Sequence, residues 1–284
     1  KKIIPGKTLI FLDEIQECEE AITSLKFWAI DQGYDVIASG SLLGVDYKRA
    51  SSYPVGYVDY LSMHGLDFEE FLWGIGFSED MIGNLYSFLA SKSAIPEAIH
   101  SQLMNYYRRY IVIGGMPEAV QKYIDTKDFR EVDMVQLSRL VTDVRFDLSD
   151  YARDDFFRAY TTDLSLLMAM RDFSLKQHVA ENTLAGTSKG GIYECAIADA
   201  LYKNGYSLYF YKNETNHREI DVIIQKDGKV LPIEVKSGNT RASSLKALMK
   251  NHEDIAYAYK FVDGNIGESE DGIITLPLYM AAFI

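Results

Sequence analysis

Glu219-Ile220-Asp221-Val222-Ile223-Ile224-Gln225-Lys226-Asp227-Gly228-Lys229-Val230-Leu231-Pro232-Ile233-Glu234-Val235-Lys236 reads as two β-rich runs joined by Asp227-Gly228. An Asp-Gly pair in that setting is the strongest short hairpin signal, a two-residue type I′ turn. With Lys226 facing Lys229, counting outward puts Asp221 directly opposite Glu234. Opposed side chains in an antiparallel pair stand about 5 Å apart, and like charges there repel. Lys236 lies two residues beyond Glu234 and so on the same face. Two carboxylates and an ammonium are therefore expected at one spot.

A divalent cation removes that repulsion, because Mg²⁺ is commonly held by one or two carboxylates together with water and substrate phosphate. It activates bound water and neutralises developing charge, while a neighbouring lysine positions water or screens the phosphate. The chemistry these residue types suit is metal-assisted phosphodiester hydrolysis. The competing reading is a solvated strand face, on which Glu219 meets Lys236 in a surface ion pair worth under ~1 kcal/mol. A three-residue loop would shift the register by one and separate the carboxylates.

Outward from the hairpin, residues 190–284 alternate between helix and strand. A helix carries Glu194, Ile197, Ala198 and Leu201; strands are expected over 207–211, 219–225, 230–236, 256–262 and 272–279, with a helix over 245–250. Residues 67–180 show helical periodicity. Phe68, Phe71 and Leu72 form one apolar stripe, Pro96 opens a long helix, Gly114-Gly115 breaks it and Pro117 starts the next. Near the start, the apolar run Leu9-Ile10-Phe11-Leu12 predicts a strand covered on both faces. A helix with Ala21, Leu25 and Trp28 and a second strand at Val36-Ile37-Ala38 complete a strand–helix–strand unit.

That first strand delivers Asp13 and Glu14 at its C-terminal end, where open α/β sheets bind ligands. Four apolar residues followed by Asp-Glu is a Walker B pattern: Asp13 would hold Mg²⁺ through water and Glu14 would activate the attacking water. Ser39, at the end of the next strand, is placed like a residue reading the γ-phosphate. An ordinary strand end followed by acidic helix-start residues is the alternative. No Walker A loop is present: Gly6-Lys7-Thr8 lacks the required first glycine, and a strand rather than a helix follows it.

The chain has 284 residues, which suggests about two domains. Its 29 basic and 41 acidic side chains leave a net charge of −12, which works against nucleic-acid binding outside a local patch or bound metal. Two distant cysteines, Cys18 and Cys195, exclude a disulfide scaffold and a cysteine-rich zinc site and point to a reducing compartment. No apolar run reaches the ~18 residues a membrane span needs, and the first residues do not form a signal peptide. The expectation is a soluble, cytoplasmic protein.

Asp221 followed by Glu234-Val235-Lys236, with Glu194 on a preceding helix, resembles the PD-(D/E)XK nuclease fold. The wider set of Gly191–Glu194, Glu219–Ile223 and Pro232–Gly238 is similar to the C-terminal domain of a large group of prokaryotic AAA-type ATPases. So are Leu9–Gln16, Ala38–Leu43, Pro54-Val55-Gly56, Leu66–Leu72 and Gly114–Val120. The resemblance implies Asp221 and Glu234 as metal ligands, Lys236 as the catalytic lysine and Glu194 as an accessory acid. It also implies ATP and Mg²⁺ as cofactors. In that family an arginine follows Pro-Val-Gly, whereas Tyr57 stands here, with Arg49 nearby. The family's phosphate-binding loop is expected upstream of residue 1. A connecting helical stretch expected near Asp155 is missing between the family-like segments 139–152 and 157–173.

The remaining signals are structural on this reading. His64, His100, His178, His217 and His252 show no ligand spacing, and Trp28, Trp73 and the tyrosines fall on apolar faces. Tyr106-Tyr107-Arg108-Arg109 belongs to a helix with one polar edge; Arg241, Lys246 and Lys250 make the one modestly basic segment, which adjoins the candidate metal site and suits a phosphate-bearing substrate, though a solvated helix explains it as well. The fold class expected is α/β: a partial AAA-type P-loop domain over 1–65, a helical lid or winged-helix-like region over 66–185, and a PD-(D/E)XK-like domain over 186–284. The function expected is an ATP-driven protein whose C-terminal domain cleaves or handles nucleic acid with Mg²⁺, with a homo-oligomer or protein partner and no membrane. The alternative makes that C-terminal domain a non-catalytic partner-binding or regulatory module, and a third reading is a fragment inactive in both respects.

Overall fold

The chain folds into two compact units, Lys1–Met63 and His64–Ile284, each with most of its contacts inside itself. The structure, a computed structural model, describes residues 3–40, 56–143, 160–161, 163–212, 219–238, 242–252 and 255–284. Arg49, Pro54-Val55, the stretch around Asp155, His217 and Arg241 lie outside the described residues.

In the first unit, strands β1 (Leu9–Leu12) and β2 (Asp35–Ala38) pair in parallel, with Leu9 beside Asp35 and Leu12 beside Ala38. Helix α1 (Glu19–Asp31) joins them, with Glu19 and Glu20 at the positive end of its dipole. The strands are not covered on both faces as their apolar run suggests. Among the described residues Leu9, Phe11 and Ile37 are exposed, Phe11 by 58%. A two-stranded sheet with one helix has too few layers to cover two faces.

The second unit opens with helices. Asp67 caps α2 (Phe68–Gly74) reciprocally: its carboxylate accepts from the Glu70 N–H, and the Glu70 carboxylate accepts from the Asp67 N–H. Next come α3 (Glu79–Ser91) and α4 (Glu97–Ile113), the latter following Pro96 and ending at Gly114 with φ of 74°. Pro117 occupies the first position of α5 (Pro117–Thr126). Helices α6 (Phe129–Asp143), α7 (Leu164–Ala169), α8 (Phe173–Ala180) and α9 (Thr187–Lys203) complete the series. Every element described between residues 66 and 185 is a helix.

A mixed sheet follows, in the order β3-β4-β5-β6-β8-β7. Its strands are β3 (Tyr209–Lys212), β4 (Glu219–Lys226), β5 (Lys229–Lys236), β6 (Ala258–Val262), β7 (Gly267–Glu268) and β8 (Ile273–Pro277), with α10 (Ser243–Asn251) between β5 and β6. Strands β5, β6 and β8 run parallel to one another. The strand expected over 272–279 stops at Pro277, which has no N–H to extend a ladder, and Leu278–Phe283 coils into a fully buried 3₁₀ segment. One hydrophobic core runs from Phe68 on α2 through Ile197 on α9 to Phe283, so helices and sheet share it. A smaller cluster under α10 holds Ile220, Leu245, Ala258 and Ile273.

Two readings of single residues change, and a third residue gains a partner. Trp73 is 48% exposed rather than core, because α2 is short and turns this side chain away from its buried Phe68, Phe71 and Leu72. Arg108 does not lie on a polar edge: it is buried and clamps Asp263 through both carboxylate oxygens, at 2.9 and 3.1 Å. Lys246 pairs with Asp271.

A buried polar network ties the helices to α9. Asp163 accepts the Gly115 N–H and the Lys203 ammonium, which also reaches the Leu66 carbonyl and lies 2.9 Å from Asp199. A Cβ at Gly115 would sit 2.6 Å from Asp163 Oδ2 and 2.7 Å from Lys203 Nζ, so this site requires glycine. Burial pushes the Asp199 carboxyl up to about 7 against the pull of Lys203, with Asp163 and Asp67 pushing the same way. Burial opposes the charge on Lys203, but Asp163 and Asp199 outweigh it and raise its pKa.

Candidate functional site

The hairpin turn forms as its residues demand, with Asp227 at φ of 51° and Gly228 at 74°. The β4–β5 ladder then keeps the expected register from Lys226 opposite Lys229 to Val222 opposite Ile233. It ends there, one pair short of Asp221 and Glu234. The cause lies on the other side of β4, where Tyr209 pairs with Ile223 but Tyr211 pairs with Ile220. Two residues, Asp221 and Val222, thus face the single residue Phe210. Such a bulge bends the strand and takes a residue out of the ladder.

The Asp221 carboxylate turns onto the partner strand instead and accepts the main-chain N–H of Val235 at 2.8 Å. Val235 stands between Glu234 and Lys236, so the bulge still brings Asp221 to these residues. Lys236 pairs with Glu234, Nζ to Oε1 at 2.6 Å. The surface pair between Glu219 and Lys236 does not form; Glu219 pairs with Lys212 on β3 at 3.3 Å. Asp221 is 9% exposed and Glu234 3%, and the second Glu234 oxygen, Oε2, is buried with no hydrogen-bond partner. A buried carboxylate oxygen left in that state costs free energy that a cation recovers.

Glu194 is half-buried on α9. Among the described residues no group of three or more His, Cys, Asp or Glu side chains is arranged to hold a metal, so Glu194 does not complete a three-carboxylate set with Asp221 and Glu234. Two carboxylates, one with an orphaned oxygen, fit a Mg²⁺-type ion that keeps most of its water. They do not fit a fully protein-caged cation.

Lys260 escapes sequence reading. It sits in β6, beside Glu234 on one neighbouring strand and Thr275 on the other, and is only 8% exposed. The signal available was a lysine in the middle of the apolar run Ala258-Tyr259-Lys260-Phe261-Val262.

In the first unit, the parallel pair brings Asp13 and Ser39 together at the strand ends. Asp13 Oδ1 accepts the Ser39 hydroxyl and, at 3.1 Å, the N–H of Glu14. Glu14 takes a left-handed conformation, φ 49° and ψ 47°, and its carboxylate accepts from the Gln16 side chain. Gly6-Lys7-Thr8 folds as a turn in which Gly6 donates to the Gly33 carbonyl, then enters β1. It makes no phosphate cradle opening a helix. Tyr57 lies under Lys26, whose Nζ is 5.4 Å from the ring centre.

No helix among the described residues is long and apolar enough to cross a membrane. Residues 1–72 match the AAA domain family, and residues 189–280 match a domain of unknown function (DUF4143). Together the matches support an AAA-type ATPase relationship, and the AAA domain match over residues 1–72 suggests an ATPase-type function. Neither a curated protein nor a solved structure matches the chain.

Proposed function

We propose that this AAA-type chain carries, beside its ATPase-type function, a divalent-cation-dependent phosphodiester site at Asp221, Glu234 and Lys236. The observation that carries the proposal is the buried Glu234 carboxylate, one oxygen on Lys236 and the other orphaned, with Asp221 anchored on the residue between them. Asp221 and Glu234 would hold the ion, which when bound supplies charge neutralisation and a more acidic water. Lys236, 31% exposed at its side chain, would orient an attacking water or the phosphate oxygen. The bond from Asp221 to the Val235 N–H fixes the carboxylate's direction before any ion arrives. Nucleic acid is the proposed substrate. In the first unit Asp13 is the proposed Walker B carboxylate, Glu14 the water-activating residue and Ser39 the phosphate-reading hydroxyl, for ATP and Mg²⁺.

The test is Mn²⁺-dependent cleavage of single- and double-stranded DNA and RNA, with Lys236→Ala as control and Mn²⁺ binding measured in Asp221→Ala. Cleavage that vanishes in Lys236→Ala, with metal binding lost in Asp221→Ala, supports the site. Metal binding that survives Asp221→Ala sinks it. One observation favours a second reading, a non-catalytic partner-binding module: Lys236 already neutralises Glu234 without a metal. In that case a partner captured by the chain stays bound to Lys236→Ala.

A further inference from the structure

Lys260 lies where the site described above has an unmet need. The parallel ladder sets Glu234 beside Lys260 and Lys236 beside Val262, and alternation along each strand puts Glu234, Lys236 and Lys260 on one face. Glu234 and Lys236 stand at the C-terminal end of β5, the side on which open sheets receive ligands, and Lys260 stands midway along the neighbouring parallel strand β6. Farther down that face α10 covers Ala258 and Ile273 with Leu245.

A lysine whose stem is this buried gains from a counter-charge at its ammonium. Its neighbours across the ladder are Glu234 and Thr275, and threonine supplies no charge. Glu234 gives its Oε1 to Lys236 and leaves Oε2 unpartnered, yet among the described residues Lys260 forms no ion pair with it. The nearest acid beyond the strand end, Asp263, is already clamped by Arg108. The Lys260 ammonium and the unpartnered Glu234 Oε2 thus sit on adjacent strands without meeting. A cation on the carboxylate and an anion on the lysine would satisfy both.

We infer that Lys260 is an anion-binding residue that holds the phosphate group of a metal-bound ligand, so that the site takes cation and phosphate together. The inference rests on the proposed metal site at Asp221 and Glu234 and extends it by naming the group that receives the ligand's negative charge. A lysine suits this task as a compact point charge on phosphate. The bland competitor is that Lys260 is merely the internal counter-ion of Glu234.

The experiment measures Mn²⁺ binding to the whole chain from the free-Mn²⁺ EPR signal, with and without inorganic phosphate. In the unsubstituted chain phosphate is expected to tighten Mn²⁺ binding about tenfold, the scale of one charge-assisted contact. Lys260→Met should abolish that tightening while Mn²⁺ affinity without phosphate changes less than about twofold. Lys260→Arg should keep the tightening, and Lys260→Gln, which retains length and polarity, decides the matter if the Met variant fails to fold. Equal tightening in the unsubstituted chain and both neutral variants overturns the inference. So does a large gain in Mn²⁺ affinity without phosphate, which identifies Lys260 as the counter-ion of Glu234. Absence of Mn²⁺ binding in the unsubstituted chain overturns the underlying metal site and this inference with it, whereas Asp221-dependent binding indifferent to Lys260 removes this inference alone.

Discussion

Asp199 is a buried carboxyl whose pKa stands at about 7, far above its ordinary value near 3.8. Between those two values the folded chain holds a proton that the unfolded chain has released, so folding is favoured by acid in this window. The contribution of Asp199 is full below about pH 4 and is lost as pH rises through about 7. The groups around it are Lys203, Asp163 and Asp67, with Tyr107 and Tyr110 from α4. Asp199→Asn mimics the protonated form. The fall in melting temperature from about pH 5 to about pH 8 should therefore be smaller in that variant, as scanning fluorimetry would show. An equal fall in both chains counts against this account. Nothing in the pattern around Asp199 marks it in the sequence, because its burial depends on Asp163 and Lys203 closing over Gly115.

At the scale of elements, the hairpin is where local chemistry dictates most. Asp227 and Gly228 both occupy the left-handed region, and a β-branched residue there costs about 1–2 kcal/mol. Gly228→Val should lower stability by that amount in urea unfolding, and a loss under a few tenths would contradict the turn assignment. The same turn fixed the register, so five cross-strand pairs were legible from Asp-Gly alone. Asp221 opposite Glu234 was not, because the bulge is set by β3 pairing with the far side of β4, a contact between runs that periodicity treats separately. Helix limits marked by Pro96, Gly114 and Pro117 were legible for the same local reason. The two residues of β7 and the turn after Pro277 were not, since tertiary burial rather than alternation defines them.

For the whole molecule, the two units differ in how much apolar surface they cover. Unit His64–Ile284 holds the large core, whereas among the described residues of unit Lys1–Met63 Ile15 is the buried hydrophobic residue and Phe11, Phe27 and Ile30 are exposed. The chain's two tryptophans fall one in each unit, Trp28 in the first and Trp73 in the second. Tryptophan fluorescence of Trp73→Phe should therefore report an earlier thermal transition than that of Trp28→Phe, and Asp199→Asn should move only the later one. Coincident midpoints would mean that the units unfold together. The core of the second unit also has an order in time. Leu278–Phe283 packs against α2, α3, α4 and α9, all of which leave the ribosome well before it. Phe68 and Tyr107, which pack on Tyr279, must wait without it through synthesis of the sheet, so a nascent chain stalled before residue 278 should be held by chaperones and should resist protease only once Phe283 has cleared the ribosome.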